Sequence, residues 1–414
     1  MSKIEELIQQ YCPDGVEFVK LGAFSEQFSG MTGVSNKWAE SGNCMFIDYK
    51  NVYSHLSVDT TALKYATVKS LNQNTLMTGD ILFTSASETP DECALAAVIE
   101  GEIPEGVFLD DHLFGIRITA GYKKEINPSY LKYAFHSDWF RNQVRKVVRG
   151  VTRNYVSKVD FMKLSIPLPP LPVQEEIVRI LDTFTELQAE LQAELQARQL
   201  QYQFYRDKLF AFDDRTDIKY KKLGDIGTIK RGNGLQKKDF TETGVGCIHY
   251  GQIYTKYGAF ADKTLTFVDA DLASHLLQVE KGDLVIACTS ENVDDICKCV
   301  AWLGNENICT GGHSCVFKHN QNPKYVSYFF QTEQFFKQKK KYVYGTKVMD
   351  IKPDNIAKIE IPIPSLEEQE RIVSILDNLY ILVNDLSMGL PAEIEARKQQ
   401  YEYYRNKLLT FKRR

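Results

Sequence analysis

Apolar and polar positions along the chain follow two periods, and each period occurs in both halves. Short runs rich in β-branched residues follow turn-forming Gly-Asp pairs at Asp80–Thr84 and Asp283–Ala287, which predicts strands. After residues 170 and 365, apolar residues recur three or four positions apart, which predicts two amphipathic helices. The pattern therefore predicts an α+β protein in which one arrangement occurs twice.

The repeat is also visible in the residues themselves. Residues 127–182 match residues 322–377 at a constant offset of 195, without a gap. Each matched block passes through Ile-Pro-x-Pro into a helix with the pattern Gln-Glu-x-Ile-Val-x-Ile-Leu-Asp. Each helical stretch ends in a second repeated motif, which reads Tyr205-Arg-Asp-Lys-Leu209 in the first half and Tyr404-Arg-Asn-Lys-Leu408 in the second. The chain is thus predicted to be a tandem duplication of a globular unit followed by a helix.

The two helices need a partner for their apolar stripes. A helix of about 40 residues that is polar elsewhere is expected to pair with the other copy. The alternative is that each helix packs on its own globular unit. Gly389 and Pro391 are expected to kink or interrupt the second helix. The residues predicted at the helix interface are Ile177, Leu181, Phe184, Leu187, Ile372, Leu376, Leu379 and Leu382.

Two Asn-Pro segments are predicted to start helices, with Asn as the cap and Pro at the first helical position. These segments, Asn127-Pro-Ser-Tyr130 and Asn322-Pro-Lys-Tyr325, also resemble the Asn-Pro-Pro-Tyr motif of amino-methyltransferases. Both lack the second Pro, and no Gly-rich cofactor loop accompanies them, which favours helix capping. An adenine-specific DNA methyltransferase acting by itself stays as the alternative function.

Basic residues concentrate at the same place in each half. The net charge of the 414-residue chain is −4, so a nucleic-acid function depends on local patches. Two acid-free basic strips lie next to Gly150 and Gly345, which favours phosphate contact over a merely solvated face. The predicted DNA-binding residues are Arg141, Arg145, Lys146, Arg149, Thr152, Arg153, Lys337, Lys339, Lys340, Lys341, Thr346 and Lys347.

The remaining chemistry favours structural roles. The chain has nine Cys without framework spacing, which fits a reducing cytosol. The cluster around Cys288, Cys297 and Cys299 is interpreted as buried thiols rather than a zinc site, because matched first-half positions hold Ser or Ala. His112 and His313 are interpreted as shared structural positions, and no catalytic residue is predicted. The polar start and the lack of a long apolar run predict a cytoplasmic protein.

These patterns together resemble the specificity subunit of type I restriction-modification systems, over essentially the whole chain. Three repeated motifs carry the resemblance. They are the Ile-Pro-x-Pro blocks at 166–182 and 361–377, the Lys-Leu-Gly segments at 20–22 and 222–224, and the two Tyr-Arg-Asp/Asn-Lys-Leu motifs. The resemblance implies two mixed α/β target recognition domains related by a pseudo-twofold repeat. It also implies two long helices that form an antiparallel coiled coil.

The resemblance implies the partners as well. Such a chain is non-catalytic and recognises an asymmetric, bipartite DNA target. It assembles with two methyltransferase subunits, which use S-adenosylmethionine, and with restriction-translocase subunits, which use ATP and Mg. The chain itself is expected to need no cofactor and no metal. The implied boundaries are recognition domains at 1–165, with a short N-terminal helix, and 216–360, and spacer helices at 166–215 and 361–414.

Overall fold

The computed structural model describes residues 2–150, 152–212, 215–384 and 388–414, without the side chain of Ala39. The chain divides into two compact units, one made of Met1–Glu190 with Glu395–Arg414 and the other of Leu191–Ile394. Each unit therefore contains a globular part and pieces of the long helices. The sequence boundaries at residues 165, 215 and 360 stay a prediction.

The first unit begins with the short helix expected at the N-terminus. Its helices are α1 Lys3–Tyr11, α2 Leu21–Phe24, α3 Tyr49–Ser54, α4 Pro128–Ala134, α5 Asp138–Val147 and α6 Lys158–Phe161, followed by α7 Leu171–Leu209, which both units share. Its strands are β1 Phe18–Lys20, β2 Ser25–Ser29, β3 Val34–Ala39, β4 Cys44–Ile47, β5 Lys64–Val68, β6 Ile81–Thr84, β7 Ala86–Ser87, β8 Ala96–Val98, β9 Val107–Leu109, β10 Leu113–Ile118, β11 Val148–Arg149, β12 Asn154–Val156 and β13 Ser165–Pro167.

The second unit has corresponding elements. Its helices are α8 Leu223–Ile226, α9 Tyr250–Thr255, α10 Ala270–His275, α11 Pro323–Phe329, α12 Glu333–Lys339 and α13 Pro353–Ile356, followed by α14 Leu366–Asn384; α15 Leu390–Leu408 begins here and ends in the first unit. Its strands are β14 Lys219–Lys222, β15 Gly227–Arg231, β16 Val245–Ile248, β17 Phe260–Ala261, β18 Thr266–Val268, β19 Leu277–Val279, β20 Leu284–Ala287, β21 Thr289–Ser290, β22 Cys299–Trp302, β23 Ile308–Thr310, β24 Ser314–His319, β25 Met349–Asp350 and β26 Glu360–Ile363.

One sheet topology recurs in the two units. The antiparallel order β2-β10-β6-β8 of the first unit corresponds to β15-β24-β20-β22 of the second, where β17 adds a fifth strand at the edge. The other large sheets are β3-β5-β4-β9 and β18-β16-β23-β19, and both contain one parallel pair, β4 with β9 and β16 with β23. The predicted mixed α and β character and the predicted strands β6 and β20 are confirmed.

The basic helices α5 and α12 are held by matched aromatic contacts on their buried faces. The ring centroid of Phe140 lies 4.8 Å from that of Phe135, and the matched pair Phe335 and Phe330 lies at 4.2 Å. Both helices begin at a hydroxyl cap, and an oxygen from the last turns of α15 or α7 accepts another N–H there. Asn406 Oδ1 accepts from the N–H of Asp138, and Asp207 Oδ1 accepts from that of Glu333, each at 3.0 Å. The repeated Tyr-Arg-Asp/Asn-Lys-Leu motif near the end of α7 and of α15 thus attaches the start of each basic helix to a long helix.

Two buried glutamines join the predicted helix starts to the long helices. Gln174 Oε1 accepts from the N–H of Asn127 at 2.9 Å, and Gln369 Oε1 accepts from the N–H of Asn322 at 3.0 Å. The side-chain amide of each glutamine also donates to a carbonyl of the preceding Pro-rich turn, at 2.7 and 3.0 Å. Both Asn side chains cap their helices as predicted. The Asn-Pro-x-Tyr segments are therefore helix starts.

The long helices pack both on the globular parts and on one another. Ile177 and Leu181 lie in the first hydrophobic core and Ile372 and Leu376 in the second, flanked by partly buried Phe184 and Leu379. Leu187 and Leu382 are also partly buried.

Helix pairing is visible in aromatic contacts within each unit. Phe184 stacks on Tyr404 at 5.4 Å, and Tyr202 meets Tyr380 edge-on at 6.0 Å between centroids. Early α7 thus contacts late α15 and late α7 contacts α14, which is the order of an antiparallel pair. The predicted interruption of the second helix is confirmed at residues 388 and 389, which are not helical, and α15 starts directly after them at Leu390.

Candidate nucleic-acid interface

Each unit carries a tight turn that begins at a glycine directly after the basic helix. Gly150 has φ +125° and Gly345 has φ +110°, a region that favours glycine. A Cβ on Gly150 would lie 2.1 Å from the carbonyl oxygen of Arg153, and one on Gly345 would lie 2.1 Å from that of Val348. The turns can close only around glycine, which fixes where each turn begins relative to the basic helix.

Most of the predicted DNA-binding residues are solvent-exposed at these turns and on the adjacent helix ends. Three of them have acidic partners: Arg145 with Asp91 at 2.5 Å, Arg149 with Asp160 at 2.7 Å and Lys337 with Glu333 at 3.6 Å. Such exposed pairs are weak and can exchange for a phosphate. The exposed members are Arg145, Lys146, Arg149, Thr152, Arg153, Lys337, Lys340, Lys341, Thr346 and Lys347.

Arg141 and Lys339 do not lie on this exposed surface, which corrects the picture of an uninterrupted strip. The Arg141 guanidinium donates to three backbone carbonyls, those of Ala94, Asp91 and Cys93, at 2.6 to 3.0 Å. Burial lowers the pKa of Arg141 to about 10. Lys339 is 4% exposed, and its ammonium donates to the carbonyls of residues 294 and 296 at 2.9 and 2.6 Å. A cation that is buried on carbonyls is not available to a phosphate.

A cleft of about 780 Å³ lies beside the turn of the first unit. Its lining combines cations with acids and exposed aromatic rings, including a Trp38 side chain that is 56% exposed. Thr152 and Arg153 of the turn reach its rim, and Tyr53 donates to Glu92 at 2.9 Å inside it. A surface that offers both donors and acceptors can discriminate between base edges, whereas cations alone bind phosphates.

The cleft also contains a charged cluster that sequence reasoning missed. Lys37 Nζ donates to Asp110 at 2.9 Å and to Asp111 at 2.5 Å, and His112 Nδ1 lies 2.9 Å from Asp111. Burial raises the pKa of Asp111, but the hydrogen bonds with Lys37 and Asp110 and the nearby positive charges together outweigh burial and leave that pKa at about 2. The cluster joins β3 to the loop after β9, two segments more than 70 residues apart. A local sequence signal therefore could not have found it.

The corresponding place in the second unit has different chemistry. Arg231 binds Asp350 through two hydrogen bonds of 2.9 and 2.7 Å, and Tyr344 Oη donates to the same carboxylate. His313 Nδ1 lies 3.0 Å from the Thr289 hydroxyl. The position of the Asp110–Asp111 pair is held here by two glycines, residues 311 and 312. The frame is shared, but the groups that face the cleft differ.

The described part of the chain offers little support for a metal site or for a catalytic nucleophile. Within it, only Asp110, Asp111 and His112 group as metal ligands could, and the Lys37 ammonium binds both carboxylates of that group. His112 and His313 lie in different units.

The cysteine interpretation needs one correction. Cys288, directly after β20, and Cys315, on the neighbouring strand β24, form a disulfide instead of remaining free thiols. The other seven, including Cys297, Cys299 and Cys309, are free and buried. Burial raises the pKa of Cys297 and of Cys299 to about 12. These thiols are therefore neither nucleophiles nor thiolate ligands at neutral pH.

No helix in the described ranges combines the length and the apolar character that crossing a bilayer requires. This holds for α7 as well, whose 39 residues include many charged side chains.

Comparison with known proteins gives one consistent family. The model of the "Type I restriction modification DNA specificity domain" matches the chain twice, at residues 13–198 and 215–396. A type I restriction enzyme specificity subunit of Escherichia coli is 30% identical over 295 residues, which span 69% of this chain and 72% of that protein. A Haemophilus influenzae protein named as such a subunit is 33% identical over 278 residues, 63% of this chain and 68% of that protein.

Solved structures show a similar fold. The S subunit of a type I restriction-modification system from M. genitalium superposes with a TM-score of 0.51 at 13% identity, covering 96% of this chain and 97% of that one. A chain from a structural study of complex assembly and conformational transition in a type I system reaches a TM-score of 0.65 at 16% identity, covering 96% and 98%. At these identities the likeness is one of fold.

Proposed function

The chain belongs to the family of type I restriction-modification DNA specificity subunits, and from this premise we propose that each of its units recognises one half of an asymmetric, bipartite DNA target. The proposal rests on one observation: the two units share the same structural elements, but the polar groups beside their glycine turns differ. Both units present a glycine turn and exposed cations in the same place, but the groups facing the first cleft and its counterpart differ. Phosphate contacts position a protein on DNA, and base contacts specify the sequence.

The exposed cations supply the positioning part of this function. Lys146 and Arg153 in the first unit, and Lys340, Lys341 and Lys347 in the second, are exposed and form no ion pair with any other residue that the structure describes. They can approach phosphates without first breaking an internal bond. The cleft groups, such as the Lys37 cluster in the first unit, supply the part that distinguishes bases.

The proposal extends to partners and location. As a specificity subunit the chain is the recognition component of its complex and not its enzyme. It docks two methyltransferase subunits, which use S-adenosylmethionine, and restriction-translocase subunits, which use ATP and Mg, and it needs no cofactor of its own. It acts in the cytoplasm, where its DNA target is. A methyltransferase acting by itself has no support, because the Asn-Pro-x-Tyr segments cap helices and the relatives named above are specificity subunits.

Methylome sequencing of cells with the reconstituted complex and its methyltransferase subunits tests the target. We expect methylated adenines in a motif of two different half-sites separated by an unspecified spacer. A single uninterrupted motif, or methylation by the chain without partner subunits, would contradict the proposal. Calorimetry of S-adenosylmethionine with the purified chain should give no binding isotherm.

Salt-dependent DNA binding tests the interface. The double variant Lys340→Ala/Lys341→Ala should weaken binding and lower the slope of log K against log salt by about 0.9 per lost phosphate contact. The matched control is Lys219→Ala/Lys221→Ala on the exposed strand β14, which should leave the slope unchanged. Equal slopes for wild type and Lys340→Ala/Lys341→Ala would remove these lysines from the interface.

A further inference from the structure

Both units fasten the same loop with a buried cation. The loop runs between β7 and β8 in the first unit and between β21 and β22 in the second. Arg141 donates to the carbonyls of Asp91 and Cys93, and Lys339 donates to those of Asp294 and Ile296. Residues 91 and 93 match residues 294 and 296 at the offset that aligns Ser87-Glu88 with Ser290-Glu291. The two units therefore use the same pair of carbonyls.

The fastened loop has an unfavourable backbone conformation in both units. Ala94 has φ +53° and the matched Cys297 has φ +67°, values that residues with a Cβ rarely adopt. The N–H of each is held by a strand carbonyl at 2.9 Å, Thr84 for Ala94 and Ala287 for Cys297. A strained conformation persists only where its surroundings determine it. The buried cation is part of those surroundings, because Arg141 also binds the carbonyl of Ala94 itself at 2.7 Å.

The cation comes from different positions of the helix in the two units. At the offset of 195, Arg141 matches Phe336 and Lys339 matches Val144. These positions lie three residues apart, close to one helical turn, so they share a helix face. Phe336 lies beside the cation of its own unit, with its ring centroid 5.2 Å from Lys339 Nζ. Both units therefore keep the contact between a helix cation and the loop, although the cation occupies a different helix position in each unit.

The loop connects the basic helix to the cleft. In the first unit its Glu92 accepts from Tyr53 and from Ser87, both of which line the cleft. The carbonyl of Glu88 accepts from Asn154, in the strand that follows the glycine turn. A change in the loop would therefore move both the cleft wall and the turn. In the second unit the loop follows β21, which pairs with β25 next to the other turn.

We propose that Arg141 and Lys339 are positioning residues for base recognition, each holding a strained loop so that the cleft groups of its own unit keep their reading geometry. This inference rests on the proposed function. It assigns to two members of the basic strips a role that involves no contact with DNA. It also predicts that a cation from either helix position is sufficient.

The test moves the cation of each unit to the helix position that the other unit uses. Arg141→Met removes the first cation and keeps an unbranched stem, and Arg141→Met/Val144→Lys supplies the cation from the position that the second unit uses. Lys339→Met and Lys339→Met/Phe336→Arg are the reciprocal pair. Each is assembled with the methyltransferase subunits, and methylation is measured on duplexes with the methylome-derived target and on duplexes with one base changed in either half-site.

Arg141→Met should lower discrimination at one half-site by roughly tenfold, the scale of one lost base contact, and leave the other half-site unchanged. Lys339→Met should do the reverse, and each double variant should restore discrimination.

Unchanged discrimination together with a lower melting temperature would overturn the inference, because the cations would then only stabilise the fold. If Arg141→Met does not fold, the double variant decides: wild-type discrimination supports the inference, and failure to fold or to discriminate overturns it. A wild-type complex without base discrimination would overturn the proposed function as well.

Discussion

Replacing Gln174 by Leu tests the junction between the first globular part and helix α7. The side chain is fully buried and makes three hydrogen bonds: it accepts from the N–H of Asn127 at 2.9 Å and donates to the carbonyls of Glu125 and Pro169 at 2.8 and 2.7 Å. Leu has a similar volume and no amide. It therefore removes the hydrogen bonds and opens little space.

The expected loss follows from these three contacts. A buried hydrogen bond contributes about 1 kcal/mol net, so the free energy of local unfolding at the junction should fall by about 3 kcal/mol. The chain has two units and need not unfold in one step, so a local measurement is required. Hydrogen–deuterium exchange of the peptide that contains Asn127 reports it directly, and 3 kcal/mol corresponds to roughly 100-fold faster exchange.

The second unit and the surface of α7 provide controls. Gln369→Leu should accelerate exchange of the peptide that contains Asn322, because Gln369 accepts from that N–H at 3.0 Å. Gln192→Leu, on the exposed face of α7, should change neither peptide. If a folded Gln174→Leu variant exchanges less than about tenfold faster at Asn127, these hydrogen bonds do not hold the junction and the reasoning fails.

Two further predictions concern the turn and a buried histidine. Gly150→Ala should weaken DNA binding and loosen the turn, whereas Gly106→Ala, which has positive φ but no atom within 4 Å of the added Cβ, should leave DNA binding intact; equal effects in a filter-binding assay would contradict the steric argument. Burial lowers the pKa of His136 to about 4, so the unfolded chain takes up a proton near pH 6.5 that the folded chain does not, and stability is lost as pH falls from about 6.5 to 4. His136→Gln, which installs the residue found at matched position 331, should reduce the difference between pH 7 and pH 5 in the free energy of local unfolding, measured by hydrogen–deuterium exchange of the peptide that contains residue 136; an unchanged difference would assign the titration to another group.

The parts of the fold that the sequence predicts are those set by local rules. Asn127 and Asn322 cap helices because Asn before Pro favours a helix start, and the second long helix is interrupted at residues 388 and 389 because Gly and Pro disfavour a continuous helix. The strands at Ile81 and Leu284 follow from their residue types and the preceding turns. These features need no knowledge of what lies across the core.

The parts that the sequence does not predict depend on partners distant in the chain. A run of basic residues does not show that Arg141 reaches carbonyls some 50 positions away, while Arg145, one turn later, stays exposed. The same holds for Lys37 and Asp110, which meet only because the sheet brings their segments together. Residue type indicated where the interface lies. It did not separate the cations that face solvent from those that hold the loop.

The displaced loop cations have a genetic consequence. Suppose that the two halves recombine within the gene, with a crossover in the codons between positions 141 and 144 and their counterparts 336 and 339. One product joins Arg141 to Lys339 in a single helix and carries two cations, and the reciprocal product joins Phe336 to Val144 and carries none. A crossover outside this helical turn leaves one cation per unit. Exchange of recognition modules should therefore avoid a window of three codons, and hybrids that break this rule should be recovered with a compensating Arg or Lys.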